Sequence, residues 1–271
     1  PEYVIMAAAK VGGILANDLY SADFIYQNVA IQSNVIKSAH QYGVKRMIFL
    51  GSSCVYPKHC PQPIKESYLL DGKLESTNKA YAIAKIAGIT MCEAYNKQYG
   101  TNFLTVMPTN LYGQNDNYDL NNSHVLPALL KKFHDAKKNK AASVTLWGTG
   151  VAKREFLHSA DLARAVLFLL NLPENYFNQL IYDKNCGPLI NIGTGVDLSI
   201  AQLAEKIKKI IGYESCQINW DNSKPDGTLK KLLDISRILQ LGWQPQITLD
   251  AGIAEVYKNN FEIDTKAVEV V

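Results

Sequence analysis

The chain has 271 residues, 47% hydrophobic and 20% charged, a globular composition long enough for one large domain or two lobes sharing a core. Its 28 Lys and Arg against 25 Asp and Glu leave a formal net charge of +3, too little for a nucleic-acid footprint but no bar to small anionic ligands. No apolar run approaches the ~18–20 residues that span a bilayer, and Pro1-Glu2-Tyr3 is no basic-then-apolar leader, so the expectation is a cytoplasmic protein with neither a membrane nor a nucleic-acid partner.

Taken in order, short β-rich runs alternate with amphipathic helical stretches. Tyr3 to Met6 reads as a buried strand ending in Ala7-Ala8-Ala9, and a helix is predicted from about Ala22 to His40. Arg46 to Leu50 is the next strand, giving way at Gly51-Ser52-Ser53 to a connection punctuated by Pro57, Pro61, Pro63 and Gly72. Thr77 or Asn78 can cap a helix that runs to about Tyr99 and stops at Gly100. A strand follows from Asn102 to Met107, broken by Pro108. Helices are predicted at Val125–Ala136, Ala160–Leu170 and Ile200–Ile211, with a strand at Leu189–Ile192.

This alternation implies an α/β fold, a Rossmann-like, doubly wound and mostly parallel sheet. Residues 1–115 form a dinucleotide-binding part. Residues 116–271 form a smaller, mainly substrate-binding C-terminal lobe, interleaved with strands and helices that return to the first. Lys10-Val11-Gly12-Gly13 lacks the Gly-rich spacing that cradles a pyrophosphate. The N-terminal βα units are therefore expected to be absent, as in an N-terminally incomplete copy. The five cysteines form no Cys-x-x-Cys pair, which suits a reducing compartment and argues against disulfides or a metal site.

Tyr81 and Lys85 stand at i and i+4 and share a helix face. A free tyrosine titrates near ~10, so a neighbouring ammonium is expected to pull the phenol toward the working range. Such a phenol can hand its proton to a carbonyl oxygen as hydride reaches carbon. Taken alone, the pair is a weak signal and reads more often as a core tyrosine with a solvated lysine. Ser52, at a strand end where open α/β sheets bind ligands, adds a hydroxyl for the same carbonyl, although turn chemistry would also explain it.

A strand-end serine followed by Tyr-x-x-x-Lys resembles the short-chain dehydrogenase/reductase superfamily, in its extended, sugar-nucleotide-modifying branch. Longer blocks sharpen the likeness. Gly51-Ser52-Ser53-Cys54-Val55-Tyr56-Pro57, Tyr81 to Gly88, Met107 to Gly113, Ser123-His124-Val125-Leu126-Pro127, Trp147 to Gly150, Arg154 to His158 and Ser223 to Thr228 are similar to the GDP-L-fucose synthase family, in the family's order. That resemblance implies NADPH-dependent conversion of GDP-4-keto-6-deoxy-mannose to GDP-L-fucose, by epimerisation at C3 and C5 and reduction at C4.

The resemblance also assigns residues. Ser52, Tyr81 and Lys85 belong to the reduction, while Cys54 and His124 match the acid–base pair of the epimerisation. On their own letters Cys54 reads as a small buried residue and His124 as a polar helix start. Leu50, Gly51, Ser52, Ser53, Lys85, Pro108, Thr109, Asn110, Leu111 and His124 match positions lining the nicotinamide half of NADP(H). Lys132, Trp147, Arg154 and Asp226 match the substrate contacts, each with a plain alternative: solvated cation, core aromatic, structural ion pair, turn residue. A homodimer is implied as well. Two other readings stay open, another nucleotide-sugar epimerase, dehydratase or reductase, and a non-catalytic nucleotide-sugar-binding relative.

Overall fold

The structure, a computed structural model, describes residues 1–262 except Asn121 and Pro225. In chain order the first part comprises β1 (Tyr3–Met6), α1 (Ile14–Leu19), α2 (Ser21–Gln41), β2 (Arg46–Leu50), α3 (Lys79–Tyr99), β3 (Phe103–Pro108) and β4 (Asn110–Tyr112). Then come α4 (Val125–Lys138), β5 (Ser143–Trp147), β6 (Lys153–His158), α5 (Ser159–Leu170), α6 (Glu174–Ile181) and β7 (Leu189–Ile192). The chain continues through β8 (Asp197–Ser199), α7 (Ile200–Ile211), β9 (Gln217–Asp221), β10 (Lys230–Lys231), α8 (Ser236–Gln240) and α9 (Leu249–Tyr257).

Strands β1, β2, β3 and β7 form one parallel sheet in that order. Its two faces follow from the period-two alternation of β2. Phe49 lies against Gly88 of α3, where an added Cβ would sit 2.6 Å from the ring. Arg46, of the opposite parity, donates to the carbonyls of Leu170 and Leu172 and stacks 4.4 Å from the Phe177 ring centroid. Helices α2 and α3 thus cover one face and α5 and α6 the other. Because both faces are covered, the residues of β3 are buried without alternation.

The remaining strands are short. β6 lies between β10 and β4, both parallel to it, with β8 antiparallel, and β5 pairs with β9. A second apolar core gathers here, from Leu130 and Phe133 of α4, Leu203 and Ile207 of α7 and Ile253 of α9. Local signals set the element ends. Gly100 ends α3 and Gly212 ends α7, both in the left-handed region that glycine adopts freely. Ser199 and Gln202 form a reciprocal capping box at the start of α7. All five cysteines are free, and no helix among the described residues is long and apolar enough to cross a membrane.

Candidate active site

The site lies where the parallel strands β2 and β3 deliver their C-terminal ends. Gly51 follows β2 and donates to the carbonyl of Val106 at 2.9 Å. No side chain fits there, since a Cβ would meet Met107 Sδ at 2.5 Å and the Val106 carbonyl at 3.1 Å. The chain then turns into a short 3₁₀ segment, Ser53–Val55, with Ser52 as its cap, the Cys54 N–H pointing at Ser52 Oγ from 3.4 Å. That turn buries the Cys54 and Ser53 side chains against the sheet and leaves Ser52 half-buried.

Helix α3 brings Tyr81 and Lys85 over this turn. Lys85 is almost wholly buried, donates to the Leu50 carbonyl at 2.8 Å and lies 4.8 Å from the Phe49 ring centroid and 5.8 Å from that of Tyr81. Burial pushes its ammonium down to about 8, opposed only by the attraction of Cys54. Phe24 of α2 meets the Tyr81 ring edge-on at 6.3 Å. Burial holds the Tyr81 phenol above its ordinary value, the Cys54 charge adds to this, and the Ser52 hydroxyl opposes both. The expectation that Lys85 brings this phenol toward neutrality is corrected here. The ammonium is turned onto the Leu50 carbonyl, and desolvation governs the phenol. Burial likewise raises the Cys54 thiol, against the pull of Lys231, Ser52 and Lys85.

Ser52, Cys54, Tyr81 and Lys85 therefore form one cluster. His124 is not bonded into it. It is the exposed residue preceding α4, it influences Asp116, and among the described residues no hydrogen bond, ion pair or ring contact joins it to the cluster. Pro108, Thr109, Asn110 and Leu111 lie at the end of β3 and in β4. Thr109 Oγ1 and Asn110 Nδ2 both donate to the Glu155 carbonyl, at 3.1 and 2.8 Å.

Of the four residues matched to substrate, Trp147 and Arg154 are on β5 and β6, Lys132 is on α4, and Asp226 lies between β9 and β10. Trp147 ends β5 on its outer face, half its surface exposed, with Lys132 Nζ 5.9 Å and Lys224 Nζ 5.5 Å from its ring. Lys132 also donates to the Thr145 carbonyl at 2.9 Å. Both carboxylate oxygens of Asp226 accept from Thr149, its N–H and its hydroxyl, each at 2.8 Å. Gly148 makes that close approach affordable, being in the left-handed region with Asp226 packed where a side chain would stand. Arg154 donates to the carbonyls of Thr228 and Asp226, and burial lowers its pKa, with Asp226 opposing.

Two residues escaped the sequence reading. Glu155 is fully buried, and its carboxylate accepts from the N–H groups of Thr194, Gly195 and Leu233. Lys231 lies opposite Arg154 in the β10–β6 register, and its charge acts on Cys54. The Lys230-Lys231 doublet gave only the signal of a solvated edge.

A catalytic cluster at the carboxyl edge of a parallel sheet, with a cation- and tryptophan-bearing wall beyond it, is the layout of a nucleotide-dependent epimerase or reductase. Residues 1–187 match the model of the NAD dependent epimerase/dehydratase family, and the chain belongs to that family. Its branch is that of the GDP-L-fucose synthases. The chain is 52% identical over 260 residues to the GDP-L-fucose synthase of Escherichia coli (strain K12), covering 95% of this chain and 79% of the relative. A solved GDP-6-OMe-4-keto-L-xylo-heptose reductase from C. jejuni is similar with a TM-score of 0.86 at 41% identity, covering 95% of this chain and 82% of that one. A gdp-l-fucose synthetase from Naegleria fowleri bound to NADP is similar with a TM-score of 0.81 at 30% identity, covering 98% of this chain and 80% of that one.

Proposed function

We propose that this enzyme converts GDP-4-keto-6-deoxy-mannose to GDP-L-fucose, inverting C3 and C5 and then reducing C4 with NADPH. The observation that carries the reading is the Ser52–Cys54–Tyr81–Lys85 cluster, in which a thiol adjoins a Tyr–Lys pair.

The C4 ketone acidifies the hydrogens on both neighbouring carbons. Cys54 Sγ withdraws one and His124 returns a proton to the opposite face, the thiol and the imidazole sharing the base and acid roles. Ser52 Oγ holds the ketone oxygen, and the Tyr81 hydroxyl supplies its proton. The elevated pKa of that phenol keeps it protonated, hence loaded as a donor, at neutral pH.

The donor set suits a nicotinamide cofactor. Among the described residues Lys85 makes a single hydrogen bond, to Leu50, so its other N–H groups are free for a ribose diol. Leu50, Gly51, Ser52, Ser53, Lys85, Pro108, Thr109, Asn110, Leu111 and His124 would line that site, in a cofactor-binding part of residues 1–115. The nicotinamide, when bound, supplies the hydride to C4. Lys132 and Arg154 would meet the GDP diphosphate, Trp147 would provide the flat wall for the base, and Asp226 would accept from sugar hydroxyls. Two copies of the chain, working in the cytoplasm, complete the proposal.

A reduction-only reading draws support from His124, which among the described residues makes no hydrogen bond, ion pair or ring contact with the cluster. Incubation with GDP-4-keto-6-deoxy-mannose and NADPH in deuterium oxide decides between them. NADPH loss with deuterium at C3 and C5 and a fucose-configured product supports the proposal. Reduction without exchange favours the second reading, and no NADPH loss sinks both.

A further inference from the structure

The turn that carries Ser52 and Cys54 is held loosely by its own backbone. Val55 N–H reaches the Ser52 carbonyl at 3.2 Å, Tyr56 N–H reaches the Ser53 carbonyl at 3.4 Å, and Cys54 N–H lies 3.4 Å from Ser52 Oγ. All three are longer than the ordinary ~2.9–3.0 Å. The chain on either side is tied more tightly. Gly51 N–H donates to the Val106 carbonyl at 2.9 Å, and Lys58 N–H to the Lys73 carbonyl at 2.8 Å.

Between these ties the Tyr56 side chain is buried, and its hydroxyl donates to Asn191 Oδ1 at 2.6 Å. Asn191 belongs to β7, opposite Met107 of β3, and is wholly buried. Its amide orientation is set, because Nδ2 donates to the carbonyls of Ile64 and Asp234 at 2.9 and 3.1 Å. The amide oxygen can then only accept, and Tyr56 is the donor that meets it. The Asn191 N–H is spent as well, on Glu66 Oε1 at 2.9 Å. Burial holds the Tyr56 phenol protonated, so the donor is present at neutral pH. Breaking this bond would leave two enclosed polar groups unpaired.

We propose that the Tyr56 hydroxyl, held by Asn191, is the positioning group of the Ser52–Cys54 turn, fixing where the serine hydroxyl and the thiol stand against Tyr81 and Lys85. The proposal rests on the roles given to Ser52 and Cys54 above. One hydrogen bond, two residues past Cys54, then serves both half-reactions.

Tyr56→Phe keeps the ring in the core and deletes the latch. Iodoacetamide alkylation of the native protein, read by peptide mass spectrometry, should modify Cys54 about tenfold faster, the worth of one such hydrogen bond. That rate should be nearly flat in dilute urea, since local opening exposes little surface. Cys92, wholly buried on α3, should react more slowly and steeply with urea. An unaltered Cys54 rate overturns the proposal. So does one common, urea-steep rate for both cysteines, which would make Tyr56 a stabiliser of the whole fold only. With GDP-4-keto-6-deoxy-mannose, kcat for NADPH oxidation and deuterium exchange at C3 and C5 should fall together by about tenfold or more. KM should change little, because Trp147 and Arg154 are untouched. Loss of one half-reaction alone, or parent kcat, overturns the proposal. Should Tyr56→Phe misfold by circular dichroism, Asn191→Ser, which removes the acceptor instead, takes its place with the same expectations. A parent enzyme inert toward the keto-sugar defeats the proposed function, while the alkylation still decides the latch.

Discussion

Tyr81 and Lys85 lie one turn apart on α3, yet burial moves their protons in opposite senses. The phenol is held protonated and the ammonium is loosened to about 8. Tyr81→Phe keeps the ring and removes the donor, so NADPH oxidation should fall by ~10²–10⁴, the usual worth of a positioned acid. Deuterium exchange at C3 and C5 should persist in that variant, and its loss would assign the tyrosine to both half-reactions. For Lys85 the sign is set by its lowered value. The charge is complete below about 8 and lost above it, so kcat/KM for reduction should decline on the alkaline side from about that pH. Lys85→Arg should carry the decline beyond the measurable range. Stability runs the other way. Between about 8 and 10.5 the unfolded chain binds the proton that the folded chain has released, so this group's contribution to stability rises with pH.

At the scale of elements, much was legible in the letters because it was local. Arg46–Leu50, Leu189–Ile192 and Ile200–Ile211 coincide with β2, β7 and α7, each being an apolar or amphipathic run bounded by a cap or turn. Pro108, expected to break its strand, instead closes β3, where its missing N–H is tolerated at a strand end. The strands β4, β8 and β10 were illegible, because two or three half-buried residues with mixed polarity carry no period. For the same reason Glu155 and Lys231 went unseen, their meaning lying in partners far along the chain. Glu155→Ala should strip three N–H groups of their acceptor and lower stability by about 3 kcal/mol or more in urea unfolding, with Glu155→Gln losing less. Gly51→Ala, which drives a methyl into the β2–β3 seam, should cost about 1–3 kcal/mol.

Across the whole molecule, the cluster rests on the parallel sheet while Trp147 and Arg154 rest on other strands with Asp226 beside them, so a ligand that touches both groups binds only the folded arrangement. GDP at about 100 times its Kd should raise the unfolding free energy by about 2.7 kcal/mol. The accompanying rise in Tm should vanish in Arg154→Met, and a shift surviving there would remove that guanidinium from the diphosphate site. The α/β plan with its parallel sheet was readable from alternation alone. Which edge of the sheet faces which wall was not, since that depends on the β10–β6 and Ile64–Leu233 pairings between distant segments.

The Phe49 ring meets Gly88 at its edge and lies under the Lys85 ammonium, both on α3. Helix spacing and proton chemistry are thereby geared through one aromatic plate. A bulkier residue at 88 would tilt the plate and loosen the ammonium's grip on Leu50, so a lesion that looks architectural would surface first as an altered pH profile, well before the protein melted.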